Sequence, residues 1–150
     1  MSSMSPQKMK VKYKLCASNA IPPKRMTNGA AGFDLYASCV RPAFQHDINH
    51  LKYDTDVAFE IPSGHVGLVF PRSSVCKTAL RLSNCVGVID SDYRGTVSFV
   101  YDRRGIGTVY RVGERIGQIV FVKLPEVELE EVEELSPTDR GRGGYGSTGK

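Results

Sequence analysis

The chain has 150 residues, enough for one domain with a sizeable core, and no linker divides it. Its formal charge of +4 is unevenly laid out: residues 1–125 carry 17 Lys and Arg against 9 Asp and Glu, residues 126–134 carry six Glu, and the tail sets three basic residues against Asp139. A basic main body suits a polyanionic ligand, from a nucleoside triphosphate to nucleic acid. Cys16, Cys39, Cys76 and Cys85 form no CxxC pair, which argues against a zinc or redox site, and no apolar run is long enough for a leader or a bilayer span. A soluble, cytoplasmic protein with free thiols is expected.

Residues 9–15, Met-Lys-Val-Lys-Tyr-Lys-Leu, alternate apolar and basic side chains with the period of two of a half-buried strand. Ile21-Pro-Pro-Lys-Arg-Met-Thr-Asn-Gly29 is a turn-rich connection. In Ala30-Ala-Gly-Phe-Asp-Leu-Tyr-Ala37, Gly32 permits close backbone approach, Phe33 and Leu35 point one way, and Asp34 points the other, toward a pocket or solvent. Residues 41–56 hold one Pro, two His and three Asp without a sustained period, and read as an irregular surface excursion. His46 and His50 share the i, i+4 spacing of helical zinc ligands, but Asp47 stands where the motif has glutamate and no third ligand is evident.

Residues 57–61 and 65–70 read as two strands of a hairpin around Pro62-Ser-Gly64, with His65 a surface strand residue. The second strand ends in Pro71-Arg-Ser-Ser74, where a guanidinium and two hydroxyls suit phosphate oxygens or, equally, a capped turn. Residues 76–82 have the only helical leaning, one or two turns. Next comes Asn84-Cys-Val-Gly-Val-Ile-Asp-Ser-Asp-Tyr-Arg-Gly-Thr96, a predicted β-hairpin: Val86, Val88 and Ile89 are strand formers, Ser91-Asp92 turn formers, and Gly95 precedes a second β-rich run over 96–101. Asp90 sits where the strand opens into a loop. A carboxylate hemmed in by Ile89 and Tyr93 suits general-base work near neutral pH, and an aspartate there equally suits a turn in which it satisfies backbone N–H groups.

Further strands are expected over 106–112 and 115–124, and residues 126–134 read as a last edge strand whose charges discourage aggregation. Short strands at near-regular spacing predict an all-β sandwich or barrel with at most one short helix. Residues 136–150 have too little apolar content to hold themselves folded, and are expected to be a flexible glycine-rich arm on a β domain of residues 1–135. Gly141-Arg-Gly-Gly-Tyr-Gly146 and Gly144-Tyr-Gly-Ser-Thr-Gly-Lys150 imitate nucleotide-binding fingerprints, but both fingerprints require a following helix for which these residues leave no room. What survives is a set of glycine N–H groups, two arginines and two hydroxyls able to wrap a phosphate chain, with the Tyr145 ring free to stack on a base.

Five stretches in order resemble the motifs of the trimeric dUTP pyrophosphatase (dUTPase) family. Ala31-Gly-Phe-Asp-Leu-Tyr-Ala37 is similar to the first motif, Pro71-Arg-Ser-Ser74 to the second, and Gly87-Val-Ile-Asp-Ser-Asp-Tyr-Arg-Gly95 to the third. Gly113-Glu-Arg-Ile-Gly-Gln118 resembles the fourth, and residues 140–149 the fifth. The resemblance implies a β jelly roll, a homotrimer with shared active sites, and Mg²⁺ brought in with the substrate rather than held by protein ligands alone. It implies hydrolysis of dUTP to dUMP and pyrophosphate, which limits uracil incorporation into DNA and supplies dUMP for thymidylate synthesis. It implies no membrane and no specific nucleic acid as partner.

By position, the resemblance makes Asp90 the base that activates water for in-line attack on the α-phosphorus. Tyr93 becomes the ring under the deoxyribose that leaves no room for a ribose 2′-OH. Asn84, the backbone of Gly87, Val88 and Ile89, and the returning strand near Ser98 correspond to the uracil-reading hairpin. Arg72, Ser73, Ser74 and Gln118 fall at phosphate-binding positions, and Asp34 at an acidic position near the metal and the arm. Arg140, Tyr145, Gly146, Ser147 and Thr148 match the arm that closes over uracil and the γ-phosphate. The chain departs from the pattern at Ser74, where the family usually has glycine, at Arg142, often acidic, and at Tyr145, more often phenylalanine; the 41–56 excursion is longer than in a minimal member.

Three other readings fare worse. A dCTP deaminase of the same fold needs a glutamate where this chain has Ser98-Phe-Val100, and a binding protein with lost catalysis is expected to lack Asp90 or the arm. A basic nucleic-acid-binding β domain calls for an aromatic and basic interleaving that the strands do not show.

Overall fold

Alternating side chains need a second apolar face to hide against, and here two antiparallel sheets supply it to each other. The computed structural model describes residues 4–149 and forms β1 Lys12–Leu15, β2 Phe33–Tyr36, β3 Cys39–Pro42, β4 His50–Glu60, β5 His65–Phe70, β6 Leu80–Leu82, β7 Gly87–Ile89, β8 Thr96–Arg103 and β9 Arg115–Lys123. One sheet has the order β1-β4-β8-β6 with β3 pairing along β4; the other has the order β2-β9-β5-β7. The expected all-β jelly roll is what forms. A single 3₁₀ turn, Ser73–Lys77, is the helical content of the described residues.

The inward positions of both sheets make one core. Leu35 of β2, Val97 and Phe99 of β8, and Ile116 and Ile119 of β9 are sealed from solvent. Each such side chain contributes about 1.5–3 kcal/mol relative to an exposed one. Tyr53, Tyr101 and Tyr110 meet edge to face at 5.8–6.0 Å, and two hydroxyls find carbonyls: Tyr53 donates to Tyr110 at 2.9 Å and Tyr101 to Ile116 at 2.5 Å.

Burial pushes the Tyr53 phenol up to about 12, and pushes Tyr101 in the same direction. A group whose folded value lies above the unfolded value near 10 stabilises the fold fully below pH 10, and that contribution is lost as pH rises through about 12. An ultraviolet titration should therefore show the core phenolates forming only together with unfolding. Ionisation of all seven tyrosines near pH 10 with the fold intact would contradict this packing.

Several expected elements are placed differently. β1 is shorter than residues 9–15 and exposed along its length, because it is an edge strand paired only with β4. Much of the 41–56 excursion is ordered sheet, since β3 and the first half of β4 pair from Cys39↔Asp54 to Pro42↔Leu51, and only residues 43–49 between them are irregular. The 57–61 and 65–70 strands are not a hairpin, since β4 and β5 belong to different sheets and the turn at 62–64 crosses between them. The same correction applies to the central stretch: β7 pairs with β5, whereas β8 pairs with β4 and β6. Residues 76–82 divide between the end of the 3₁₀ turn and β6, and residues 106–112 form no strand. Residues 126–134 form none either, for within the described chain no sheet edge accepts them.

At the far end of the first sheet a charged row crosses three strands. His50 and Arg81 flank Asp102 in register, His50 Nε2 lying 3.2 Å and Arg81 Nη2 3.4 Å from its carboxylate. Asp47 takes the other ring nitrogen of His50, and the Ser83 hydroxyl donates to Asp102. The Asn49 N–H beside Asp47 and the Ser83 hydroxyl beside Asp102 hold both carboxyls below the usual range. His50 is thus a strand-end pairing residue, and His46 is exposed on the loop before it.

Candidate active site

Alternation along β2 turns Leu35 into the core and Asp34 away from it, and the register then decides what Asp34 meets. Asp34 lies opposite Gln118 of β9, and Gln118 lies opposite Phe70 at the end of β5, just before Pro71-Arg-Ser-Ser74. Asp34 is only 14 % exposed, with its carboxylate 3.2 Å from Arg115 Nη1 and 3.9 Å from Arg72 Nε. Gln118 donates to the Pro71 carbonyl at 3.2 Å. The first motif crosses tightly over it: a Cβ at Gly32 would sit 2.5 Å from Gln118 Oε1. Asp34, Arg72, Ser73, Ser74 and Gln118 are thus brought together, and two guanidinium groups converge on one carboxylate where an anion also gains donors.

Nothing in the sequence singles out Arg115 beyond its being the one cation inside Gly113-Glu-Arg-Ile-Gly-Gln118. The ion pair with Asp34 joins residues 81 apart, and nothing local announces it. Tyr110 is a second such residue, placed with Arg72 and Arg115 around a pocket of about 270 Å³.

The second group lies on β7 and the loop behind it. The Asn84 amide rests over Gly87, 3.6 Å from where a Cβ would be. Ser83 N–H bonds the Val100 carbonyl at 2.9 Å, which sets Asn84 beside the stretch of β8 that carries Ser98. Asp90 follows Ile89, and the loop closes with Tyr93 N–H on the Asp90 carbonyl at 3.1 Å and Tyr93 OH on the Thr96 carbonyl at 3.1 Å. Gly95 has no Cβ to strike that ring.

Asp90 is exposed, not hemmed in by Ile89 and Tyr93. Its side chain accepts no hydrogen bond among the described residues, so it is not a turn aspartate satisfying backbone N–H groups either.

The two groups do not meet within one chain. Ile89 pairs with Gly67 near the start of β5, while Arg72 follows Phe70 beyond its end. Asp90 and Arg72 therefore leave opposite ends of the same strand pair, roughly 20 Å apart at 3.3 Å per residue. The arm makes no hydrogen bond to either group among the described residues. Its hydrogen bonds are internal, as in Gly143 N–H to Arg140 O and Ser147 N–H to Gly144 O, both 3.1 Å, and Arg140 Nε to Gly143 O at 2.9 Å. Tyr145 is fully exposed, while Gly146, Ser147 and Thr148 lie in the turn beside it. Lys150 and residues 1–3 lie outside the described residues.

Residues 18–149 match the sequence profile of the dUTPase family. The chain belongs to the dUTPase family. The deoxyuridine 5′-triphosphate nucleotidohydrolase of Swinepox virus is 37 % identical over 143 residues, covering 93 % of this chain and 96 % of that protein. The enzyme of the same name from Anaeromyxobacter sp. is 41 % identical over 130 residues, 85 % of this chain and 87 % of that one. Among solved dUTPases, that of Staphylococcus bacteriophage 80alpha with dUPNHPP superposes with a TM-score of 0.77 at 29 % identity, covering 94 % of this chain and 99 % of that one. A mutant dUTPase from phage phi11 of S. aureus, described with a structural Mg(II) ion, superposes at 0.72 with 26 % identity over 85 % of this chain and 99 % of that one.

In this dUTPase no three His, Cys, Asp or Glu side chains converge as a metal site among the described residues, and Asp34 is already paired with two cations. No helix is long and apolar enough to cross a membrane among the described residues.

Proposed function

We propose that this dUTPase hydrolyses dUTP to dUMP and pyrophosphate with Asp90 as the general base, in a homotrimer whose active sites each draw on more than one chain. Asp90 takes a proton from water, the water oxygen attacks the α-phosphorus in line, and pyrophosphate leaves. Arg72, the Ser73 and Ser74 N–H groups and Gln118 hold the phosphates, with Asp34 fixing Arg72 and Arg115. Asn84 and the backbone of Gly87, Val88 and Ile89, with Ser98 beside them, read uracil, and Tyr93 supports the deoxyribose. Mg²⁺ bound with the triphosphate neutralises part of its charge. Residues 1–135 form the domain, and residues 136–150 the arm that closes it.

The observation that carries this reading is the separation of Asp90 from Arg72 along β5 in a chain that matches dUTPases over nearly its whole length. A base at one strand end and phosphate ligands at the other can act on one substrate only if a second copy supplies one of them. The surface supports association. Edge strand β1 is unpaired on its outer side, lysines alternate at 8, 10, 12 and 14, and a groove of about 620 Å³ beside it is lined by Met9, Val11, Phe33, Phe59 and Phe121. Residues 126–134 carry the opposite charge with Val127 and Leu129 exposed, and make no hydrogen bond within the described chain. A copy's acidic segment laid along β1 satisfies both. The four free cysteines agree with a reducing, cytoplasmic setting.

Coexpressing Asp90→Asn and Arg72→Ala chains, and assaying the purified mixture and the wild type with Mg²⁺ on dUTP, dCTP and UTP, tests both parts. The wild type should release dUMP from dUTP and leave the others intact. Each variant alone should be nearly inactive, and the mixture should recover roughly a quarter of wild-type activity, the share of sites that draw each intact residue from the chain that keeps it. No recovery at any ratio means each chain serves itself, and ammonia from dCTP means a different reaction.

A further inference from the structure

The loop between β7 and β8 carries the chain from one sheet to the other, so no ladder holds it. Within residues 90–95 a single backbone hydrogen bond forms, Tyr93 N–H on the Asp90 carbonyl at 3.1 Å. Two side chains supply the rest. Tyr93 OH donates to the Thr96 carbonyl, and Arg94 closes the turn itself: its Nη1 donates to the Ser91 carbonyl at 2.6 Å and to the Tyr93 carbonyl at 3.2 Å. Ser91 follows Asp90 directly, so this guanidinium pins the chain one residue past the carboxylate.

Arg94 is itself aimed from outside the loop. Its Nη2 lies 3.9 Å from Glu60 Oε1 at the end of β4, and Glu60 Oε2 lies 3.2 Å from Lys12 Nζ across the β1–β4 pair. These side chains are half-exposed or more, and exposed ion pairs contribute little to stability. Their effect is directional: with Nη2 turned toward Glu60, Nη1 is left on the loop carbonyls. Those two bonds weigh more, because a charged donor makes a hydrogen bond roughly twice as strong as a neutral one.

The Asp90 carboxylate accepts no hydrogen bond among the described residues, so the backbone of its turn is what sets its position. We infer that Arg94 is a positioning residue for Asp90: by clamping the Ser91 and Tyr93 carbonyls it holds the turn in the one shape that presents the carboxylate to its water. This rests on the proposal that Asp90 is the base. A base on a loosened turn spends less time in line with the water, and the loss falls on the chemical step.

The test uses the assembled enzyme with Arg94→Ala, Arg94→Lys, Glu60→Gln, Asp90→Asn and the Asp90→Asn/Arg94→Ala pair, measuring Tm, and kcat and KM for dUTP with Mg²⁺. Arg94→Ala should lower kcat about 10- to 100-fold, the worth of one charge-assisted hydrogen bond, with KM within about threefold because the uracil and phosphate ligands lie elsewhere. Tm should stay within about 3 °C, as for an exposed side chain. Nη1 alone makes both bonds, so the single ammonium of Arg94→Lys should hold the loss under about fivefold. Glu60→Gln should change kcat less than about threefold. In the Asp90→Asn background Arg94→Ala should cost less than about twofold, because no base is left to position. An equal loss with and without Asp90 would overturn the inference, as would an unmoved kcat in Arg94→Ala, a lysine variant no better than the alanine one, or a Glu60→Gln loss as large as that of Arg94→Ala. An Asp90→Asn variant as active as the wild type overturns the base assignment itself, and is told apart by that variant alone.

Discussion

Replacing Asp90 by Asn should leave the fold and dUTP binding in place and lower kcat by about 10²–10⁴-fold, the usual worth of a positioned general base. The fold should survive because Asp90 is exposed and its carboxylate holds nothing: the loop is closed by backbone and by Tyr93, through Tyr93 N–H on the Asp90 carbonyl and Tyr93 OH on the Thr96 carbonyl. An amide of the same size keeps those bonds and cannot take a proton from water. The loss should fall on kcat, with KM nearly unchanged, because the group is needed in the transition state and not for holding the substrate. A variant that keeps more than about a tenth of wild-type kcat would remove Asp90 from the role of base.

The sequence made the β class legible because β8 alternates strictly, with Val97, Phe99 and Tyr101 inward, β2 turns Leu35 inward, and β5 and β9 are short apolar runs bounded by turn residues. It hid the first half of β4 because Tyr53 and Thr55 are its inward residues, and neither counts as plainly apolar until the Tyr110 carbonyl and the Val97 carbonyl are there to take their hydroxyls. Asp56 compounds the difficulty: it adopts φ 51° where the register shifts between Asp54 and Ala58. Residues 106–112 failed in the opposite sense. The ladder positions of β8 are taken by β4 and β6, and within this run Tyr110 is buried in the tyrosine cluster while the adjacent Val109 packs partly against the core.

The two tight turns suggest hairpins for a related reason. Two strands joined by a tight turn pair in most small sheets, but in a two-sheet fold the same turn also carries the chain from one sheet to the other, as at 62–64 and 90–95. The motif residues were legible through the family resemblance, whereas their partition between the ends of β5 was not. Which strand neighbours which is a long-range fact, and it is what places Asp90 and Arg72 apart.

Deleting the chain after Leu135 should cut kcat/KM for dUTP by at least about 10²-fold while leaving dUMP affinity within about threefold, since on the proposed reading the arm contributes a stack on the base and charge-assisted bonds to the phosphate that only the triphosphate recruits. The free arm has little of its own to lose. Its described hydrogen bonds close small turns, Tyr145 is exposed to solvent on every side at φ 52°, and Gly141, Gly146 and Gly149 also lie at positive φ. A left-handed tyrosine with no packing costs about 1–2 kcal/mol, so the ligand-free conformation is one the arm gives up readily. Residues 136–149 extended at about 3.3 Å each span roughly 45 Å, enough to cross to a neighbouring chain. Ordering them is unfavourable in a glycine-rich segment, and the offset has to come from Tyr145 on uracil, about 1–3 kcal/mol, and from Arg140 with the Gly146-Ser147-Thr148 N–H and hydroxyl groups on the γ-phosphate. dUMP lacks that phosphate and should leave the arm open. Limited proteolysis supplies the second readout: cleavage near Arg140 and Arg142 should be fast in the free enzyme and with dUMP, and slow with dUPNHPP. An arm already protected without nucleotide, or a truncated enzyme with unchanged kcat/KM for dUTP, would end the idea that the triphosphate closes it.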